Sequence, residues 1–251
     1  MHQEFFRRGS DGGTIVLFIH GILGTPDHFL PFLPLVPDSW SVYGVLLDGH
    51  GKSVSDFSHT SMEKWKAQIY NLVEQLALQY RNIVIVAHSM GTLFAIDASF
   101  RFPQQVKMLF LLAVPLVIRV KPAAIANSVK VAFNRVLTRD PIALAAKKAY
   151  SIAPNKKFWQ YAGWIPRYWE LFREARAARK QMGSVCVPCF VFQSQMDELV
   201  SAAAFKYLKG NPAVRVAVLK TSKHFYYSQP DQAFLLAAFR GACNSLPPTE
   251  K

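Results

Sequence analysis

The chain has 251 residues, 51% of them hydrophobic and 18% charged. It can therefore bury a large core and is not intrinsically disordered, and its length fits one α/β domain with an insertion. The 29 Lys and Arg against 16 Asp and Glu give +13, which raises nucleic acid, an anionic membrane or an acidic substrate as partners and says nothing about fold.

Arg7 and Arg8 precede the run Thr14 to Ile19, which is too short for the core of a secretion signal. Ile15 to Ile19 reads as a strand ending in His20-Gly21, and Val42 to Leu47 as another ending in Asp48-Gly49-His50-Gly51. Thr60-Ser61-Met62-Glu63 has capping-box spacing. After it, Trp65, Ile69, Leu72, Val73, Leu76 and Tyr80 recur at helical spacing, which predicts a helix over 61–80. Ile83 to Ala87 is a buried strand, 91–102 a helix, and Val106 to Val114 a further apolar strand. The longest apolar run, Met108 to Ile118, falls far short of the roughly 18 residues of a membrane span.

The rhythm breaks over 115–182. That stretch has no convincing strand, and its second half is rich in large aromatics. It holds fourteen basic residues and three acids, so eleven of the thirteen net charges lie in it. It is expected to be a helical insertion over the C-terminal edge of the sheet, where open α/β sheets bind ligands. Strands at 188–193 and 214–219 follow, with helices over 199–209 and 231–242. Continuous apolar strands interleaved with helices argue a mostly parallel sheet covered on both faces.

Three cysteines cannot build a disulfide framework. Cys186 and Cys189 have C-x-x-C spacing but lie in a strand-like run. They lack the helix N-terminus that lowers a redox thiol's pKa, so they read as structural thiols in a reducing compartment. A soluble, cytoplasmic protein is expected.

The sharpest chemical signal is Ala87-His88-Ser89-Met90-Gly91, after a strand and before a helix. That is the context of a nucleophile elbow, whose tight turn demands small residues two before and two after the serine. The turn lifts the Ser89 hydroxyl out of the sheet and aims the Met90 amide at a developing oxyanion. His20-Gly21-Ile22-Leu23-Gly24 follows the first strong strand. Glycine allows that loop to approach the reacting carbon, and the Ile22 amide is the expected second oxyanion donor. His20 reads as an orienting loop residue rather than a base.

A serine hydroxyl needs a base, and the chain has seven histidines. His2 is terminal; His28, His50 and His59 lie in loops of the N-terminal half; His88 sits inside the elbow. His224 follows the last strand across a short polar loop, at the same sheet edge as Ser89. Asp197 follows the strand at 188–193 by one tight loop at that edge, and is preferred over Glu198 as the carboxylate that fixes the base's tautomer.

The order Ser89, Asp197, His224, with His20-Gly-Ile-Leu-Gly24, Asp48-Gly-His-Gly-Lys-Ser53, the elbow, Ser194-Gln-Met-Asp197 with Val200, and Lys223-His224, resembles the α/β-hydrolase superfamily. The likeness is greatest to its carboxylesterase and monoacylglycerol lipase-like branch. It implies a core of 1–114 and 183–251 and a helical cap at 115–182. The sheet is shortened at its N-terminal edge, since the family's first two antiparallel strands must be absent or reduced to one. Ala87 stands where the family has Gly, and Ser194 where relatives often have Gly.

Residues and resemblance together imply acyl transfer to Ser89 and hydrolysis of the acyl-enzyme, on short-to-medium acyl esters or monoacylglycerol-like lipids. No metal or organic cofactor is expected. A serine at the elbow disfavours haloalkane dehalogenase and epoxide hydrolase relatives. A substrate pocket is expected around His20, Trp159, Trp164 and Trp169. The basic amphipathic run Arg167 to Gln181 is expected to turn Tyr168, Trp169, Phe172, Ala175 and Ala178 to one side. It either closes the pocket or rests on an anionic membrane surface. Nucleic acid is not expected, because no binding module is visible. A carbon–carbon hydrolase or lyase on the same triad and a non-catalytic ligand-binding protein are the competing readings.

Overall fold

Strands form where apolar runs can be buried on both sides. In the computed structural model, which describes residues 2–10, 12–132, 136–155 and 157–246, three such runs become β2 (Thr14–Ile19), β4 (Asn82–His88) and β5 (Val106–Leu112), in the middle of the sheet. Successive side chains alternate between faces. Ile15, Leu17, Ile19, Ile83, Ile85, Leu109 and Leu111 enter one apolar cluster; Val16, Phe18, Val84, Val86, Met108 and Phe110 enter the other. Both faces are covered, so the strands read as continuous apolar runs.

With β1 (Phe5–Arg7), β3 (Ser41–Val45), β6 (Cys189–Ser194) and β7 (Val214–Leu219), the sheet order is β1-β3-β2-β4-β5-β6-β7. Only β1 is antiparallel to its neighbour, β3. Among the described residues this edge carries a single antiparallel strand. Its Phe5 ring lies over Gly44, where a Cβ would come within 2.4 Å of the ring.

On the first face pack α2 (Met62–Ala77), α3 (Met90–Arg101) and α6 (Ile165–Gln181), through Trp65 and Ile69, Phe94, and Leu171, Ala175 and Ala178. On the second pack α7 (Gln229–Asn244), through Leu235 and Phe239, and a 3-10 helix at Pro26–Leu35, through Phe29 and Phe32. The remaining α-helices among the described residues are α1 (Val54–Ser58), α4 (Pro122–Ala132) and α5 (Pro141–Ala149). Among the described residues, no helix is long and apolar enough to cross a membrane.

Several local expectations shift. The α2 cap is Ser61, which accepts from the Lys64 amide at 3.1 Å; Thr60 is buried instead. A reciprocal capping box forms at α1, between Ser53 and Asp56. The helix expected over 199–209 is a 3-10 helix confined to Ala202–Tyr207. The largest change concerns α6. It packs against α3 with Leu171, Ala175 and Ala178 inward, while Trp169 and Phe172 face solvent and Tyr168 is half-buried. Small residues allow two helices to approach closely, and they decide the inward face here. Of the basic residues counted in the insertion, Arg135 and Lys156 lie outside the described residues. No disulfide joins Cys186, Cys189 and Cys243, and burial pushes the Cys189 thiol up to about 12.

Candidate active site

The turn from β4 into α3 holds Ser89 at φ 51°, ψ −124°, a left-handed conformation that a non-glycine residue keeps only when its surroundings enforce it. The enforcement is visible. The Ser89 amide donates to Leu112 O at 2.8 Å, and the Thr92 hydroxyl donates to Ser89 O at 2.6 Å. A Cβ on Gly91 would come within 2.4 Å of Ile19 O and 2.6 Å of His20 O, so α3 begins directly against the end of β2. Ala87 is fully buried in the strand before the elbow. Met90 is the first residue of α3, and an amide there has no acceptor within the helix.

The loop after β2 closes on the same point. Gly24 donates its amide to Gly21 O at 2.9 Å, making a tight turn around Ile22 and Leu23, with Leu23 at φ 59°. His20 anchors this turn. Its Nε2 accepts the Leu47 amide at 3.1 Å, so Nδ1 carries the proton and donates to Gly21 O at 2.8 Å. Burial, then the neighbouring His50, hold its pKa well below the usual histidine value. His20 is therefore neutral, and both ring nitrogens are engaged with backbone. It ties the loop to the end of β3 and, against the expected pocket role, has no ring nitrogen left for a substrate.

The sheet edge brings Ser89, Asp197 and His224 together. His224 Nε2 lies 3.1 Å from Ser89 Oγ, and its Nδ1 lies 2.8 Å from Asp197 Oδ2. The other carboxylate oxygen accepts the Leu199 and Val200 amides at 2.7 and 2.8 Å. All three side chains are enclosed, with Ser89 6%, Asp197 2% and His224 1% exposed. Burial alone would raise the Asp197 carboxyl, but the His224 charge and hydrogen bond, with the two amides, hold it below the ordinary range. Burial would depress His224, but the Asp197 charge and hydrogen bond, then the Glu198 charge, lift it above 6.5.

Four further side chains fix this geometry. Glu198, only 8% exposed, accepts the His224 backbone amide on Oε2 at 3.2 Å. His88 Nε2 donates to His224 O at 3.0 Å. Asp231, in the first turn of α7, accepts the Thr221 amide and the Ser222 hydroxyl, each at 2.8 Å, on the loop that leads to His224. Ser194, the departure from glycine, donates to Lys223 O at 3.2 Å and ties β6 to the same loop. Their positions beside the motifs were the only sequence signal for these roles. The segment after β5 braces Asp197: Lys121 donates Nζ to Asp197 O at 2.6 Å and its amide to Glu198 O at 2.8 Å.

The aromatics expected around the substrate divide. Trp164 is partly buried against Phe57 and donates to Val54 O at 3.2 Å, fastening the start of α6 to α1. Trp159 and Trp169 are 61% and 72% exposed, so neither is enclosed in a pocket. The aromatics nearest His224 are others. The Phe225 ring lies edge-on, 4.7 Å from the His224 ring, and Tyr150 packs on Phe225 at 5.6 Å.

A family model described as serine aminopeptidase, S33 (Hydrolase_4), matches residues 13–228. Protein PHYLLO, chloroplastic, of Arabidopsis thaliana is 32% identical over 103 residues, which are 38% of this chain and 6% of that protein. Across the curated relatives it matches, the chain spans 6% to 32% of their lengths. Among solved structures, one of the metagenome-derived lipolytic enzymes LipS and LipT superposes with a TM-score of 0.74 at 17% identity, covering 97% of this chain and 98% of that one. A soluble variant of monoglyceride lipase from Saccharomyces cerevisiae gives 0.71 at 14% identity, covering 98% and 92%. The shared fold is that of the α/β-hydrolases.

Proposed function

The chain belongs to the serine aminopeptidase S33 (Hydrolase_4) family, and we propose that it is a serine hydrolase cleaving carboxylic esters, short-to-medium acyl esters or monoacylglycerol-like lipids, through an acyl-enzyme on Ser89. One observation carries this reading: the unbroken line from Ser89 Oγ to His224 Nε2 at 3.1 Å and from His224 Nδ1 to Asp197 Oδ2 at 2.8 Å.

In this reaction His224 Nε2 takes the Ser89 proton as Oγ attacks the ester carbonyl. The amides of Ile22 and Met90 hold the oxyanion, and each such donor is worth on the order of 10²–10³ in rate. Collapse breaks the bond to the alcohol, which leaves with the proton from His224. Water, deprotonated by His224, then attacks the acyl carbon, releasing the acid and restoring the serine. Asp197 keeps its charge and stabilises the imidazolium.

The family description raises amide cleavage as an alternative. An aminopeptidase must hold a free ammonium beside the scissile carbonyl. The buried carboxylate next to the base, Glu198, is already engaged by the His224 amide, which favours the ester reading.

The test is hydrolysis of chromogenic esters from acetate to palmitate, beside aminoacyl anilides, by wild type and Ser89→Ala. Ester turnover that disappears in the variant is the expected result. Anilide turnover in excess of ester turnover would favour the peptidase. No turnover of any ester by folded protein would sink the proposal in favour of a carbon–carbon hydrolase or a ligand-binding protein.

A further inference from the structure

The solvent side of α6 carries an unusual stripe. Ile165, Trp169, Phe172, Arg173, Arg176 and Lys180 recur at i, i+4, i+7, i+8, i+11 and i+15. At 3.6 residues per turn they fall within an arc of roughly 100°. Ile165 is 58%, Trp169 72% and Phe172 46% exposed, and the three cations are exposed as well. The helix's two acids point elsewhere. Glu170 is held by Arg167 and the Met62 amide, and Glu174 by Lys66 of α2 at 2.9 Å, its other oxygen lying 4.0 Å from Nε of the solvent-exposed Arg173. Leu171, Ala175 and Ala178 bury the opposite face. The outward stripe is therefore apolar at its N-terminal half, cationic at its C-terminal half, and free of negative charge.

We propose that this stripe docks the protein on an anionic bilayer surface. Ile165, Trp169 and Phe172 enter the headgroup boundary, and Arg173, Arg176 and Lys180 meet acidic headgroups. An outward helix face is a ridge, which a deformable bilayer accommodates without a complementary recess. Tryptophan, phenylalanine and arginine on one side of a helix form the combination that lies in such an interface. The wider charge agrees, because the insertion holds eleven of the thirteen net positive charges, and anionic leaflets attract such clusters. A second copy of the chain is a poorer occupant, since a parallel two-fold contact through this stripe would set arginine against arginine and an antiparallel one would bring the cations no carboxylate. The docking does not need the chemistry of Ser89, so its test stands apart from that of the hydrolase reading.

The experiment is sedimentation of the full chain with vesicles of phosphatidylcholine alone and of phosphatidylcholine mixed with phosphatidylglycerol. Binding is expected to the mixed vesicles and to weaken with added salt. The pair Arg173→Glu and Arg176→Glu should weaken it roughly thirtyfold or more, at about 1 kcal/mol for each cation lost. Trp169→Phe should still bind but lose quenching of tryptophan fluorescence by brominated lipid. Melting temperatures of the variants would establish that they remain folded. Equal sedimentation with both vesicle types, wild-type binding by the charge-reversed pair, or no binding at all would overturn the proposal. So would self-association abolished by Trp169→Ser, which would assign the stripe to a second copy.

Discussion

Gly21 and Ser89 approach more closely than any side chain at residue 21 would allow. A Cβ on Gly21 would lie 2.8 Å from the Ser89 Cβ and 3.2 Å from His88 O. The glycine is therefore required for space: without it the loop carrying the Ile22 amide could not rest against the elbow. Gly21→Ala should push that loop away and misplace one oxyanion donor. Turnover of a good ester is expected to fall roughly 10²-fold in kcat, with little change in KM. Steady-state kinetics on the chromogenic esters would check this. A kcat equal to that of wild type would mean that the Ile22 amide is not the donor.

Glu198 touches His224 only through the backbone, yet its carboxylate helps to lift the imidazole pKa above 6.5. Under the proposed chemistry the base must be neutral, so kcat/KM should fall with acid along a limb set above pH 6.5. Glu198→Gln keeps an acceptor for the His224 amide and removes the charge. Its acid limb should therefore move to lower pH. A pH profile of kcat/KM for the two proteins is the measurement. A limb that stays in place while activity drops would reduce Glu198 to a purely structural bond.

Much of this molecule is legible in its sequence where a single local cause decides the outcome. β2, β4 and β5 are continuous apolar runs because both of their faces are buried. Ser89, Asp197 and His224 each follow a strand at the edge where those strands end. Legibility fails where distant elements compete. On α6, Tyr168, Trp169 and Phe172 outrank Ala175 and Ala178 in hydrophobicity, yet close packing on α3 selects Leu171 and the two alanines. Thr60 and Ser61 are equally good caps on paper, and burial of Thr60 leaves the role to Ser61. The contacts of Glu198 and Asp231 with the His224 loop join elements that only the folded sheet brings together.

Asp231 offers a test of how far that support matters. Its carboxylate receives the Thr221 amide and the Ser222 hydroxyl at 2.8 Å, and the Lys220 amide at 3.3 Å, on the short loop between β7 and His224. Burial opposes its ionisation, but these donors hold its carboxyl below the usual range. Asp231→Ala leaves two loop amides without their acceptor and should loosen the path to His224. A drop in kcat of roughly tenfold is expected, with KM held and a modest loss of melting temperature. If kcat is retained and only the melting temperature falls, Asp231 serves the fold and not the position of the base.

The last prediction concerns acid stability. His50 is 1% exposed, with its ring against His20, Phe57 and Trp65. Burial is the main cause that lowers its pKa from 6.5 to about 4, against hydrogen bonds to Asp48 O and Leu47 O. The unfolded chain therefore takes up a proton at this residue below pH 6.5, while the folded chain resists it until about pH 4. The stabilisation is fully present above 6.5 and is lost as pH falls from 6.5 toward 4, at about 1.4 kcal/mol per pH unit. His50→Phe keeps an aromatic ring in the cluster and removes the titration. Chemical denaturation across that range should give a shallower loss of stability for the variant by about that slope. Parallel curves would show that His50 takes its proton equally in both states, and that the enclosing rings do not keep it neutral.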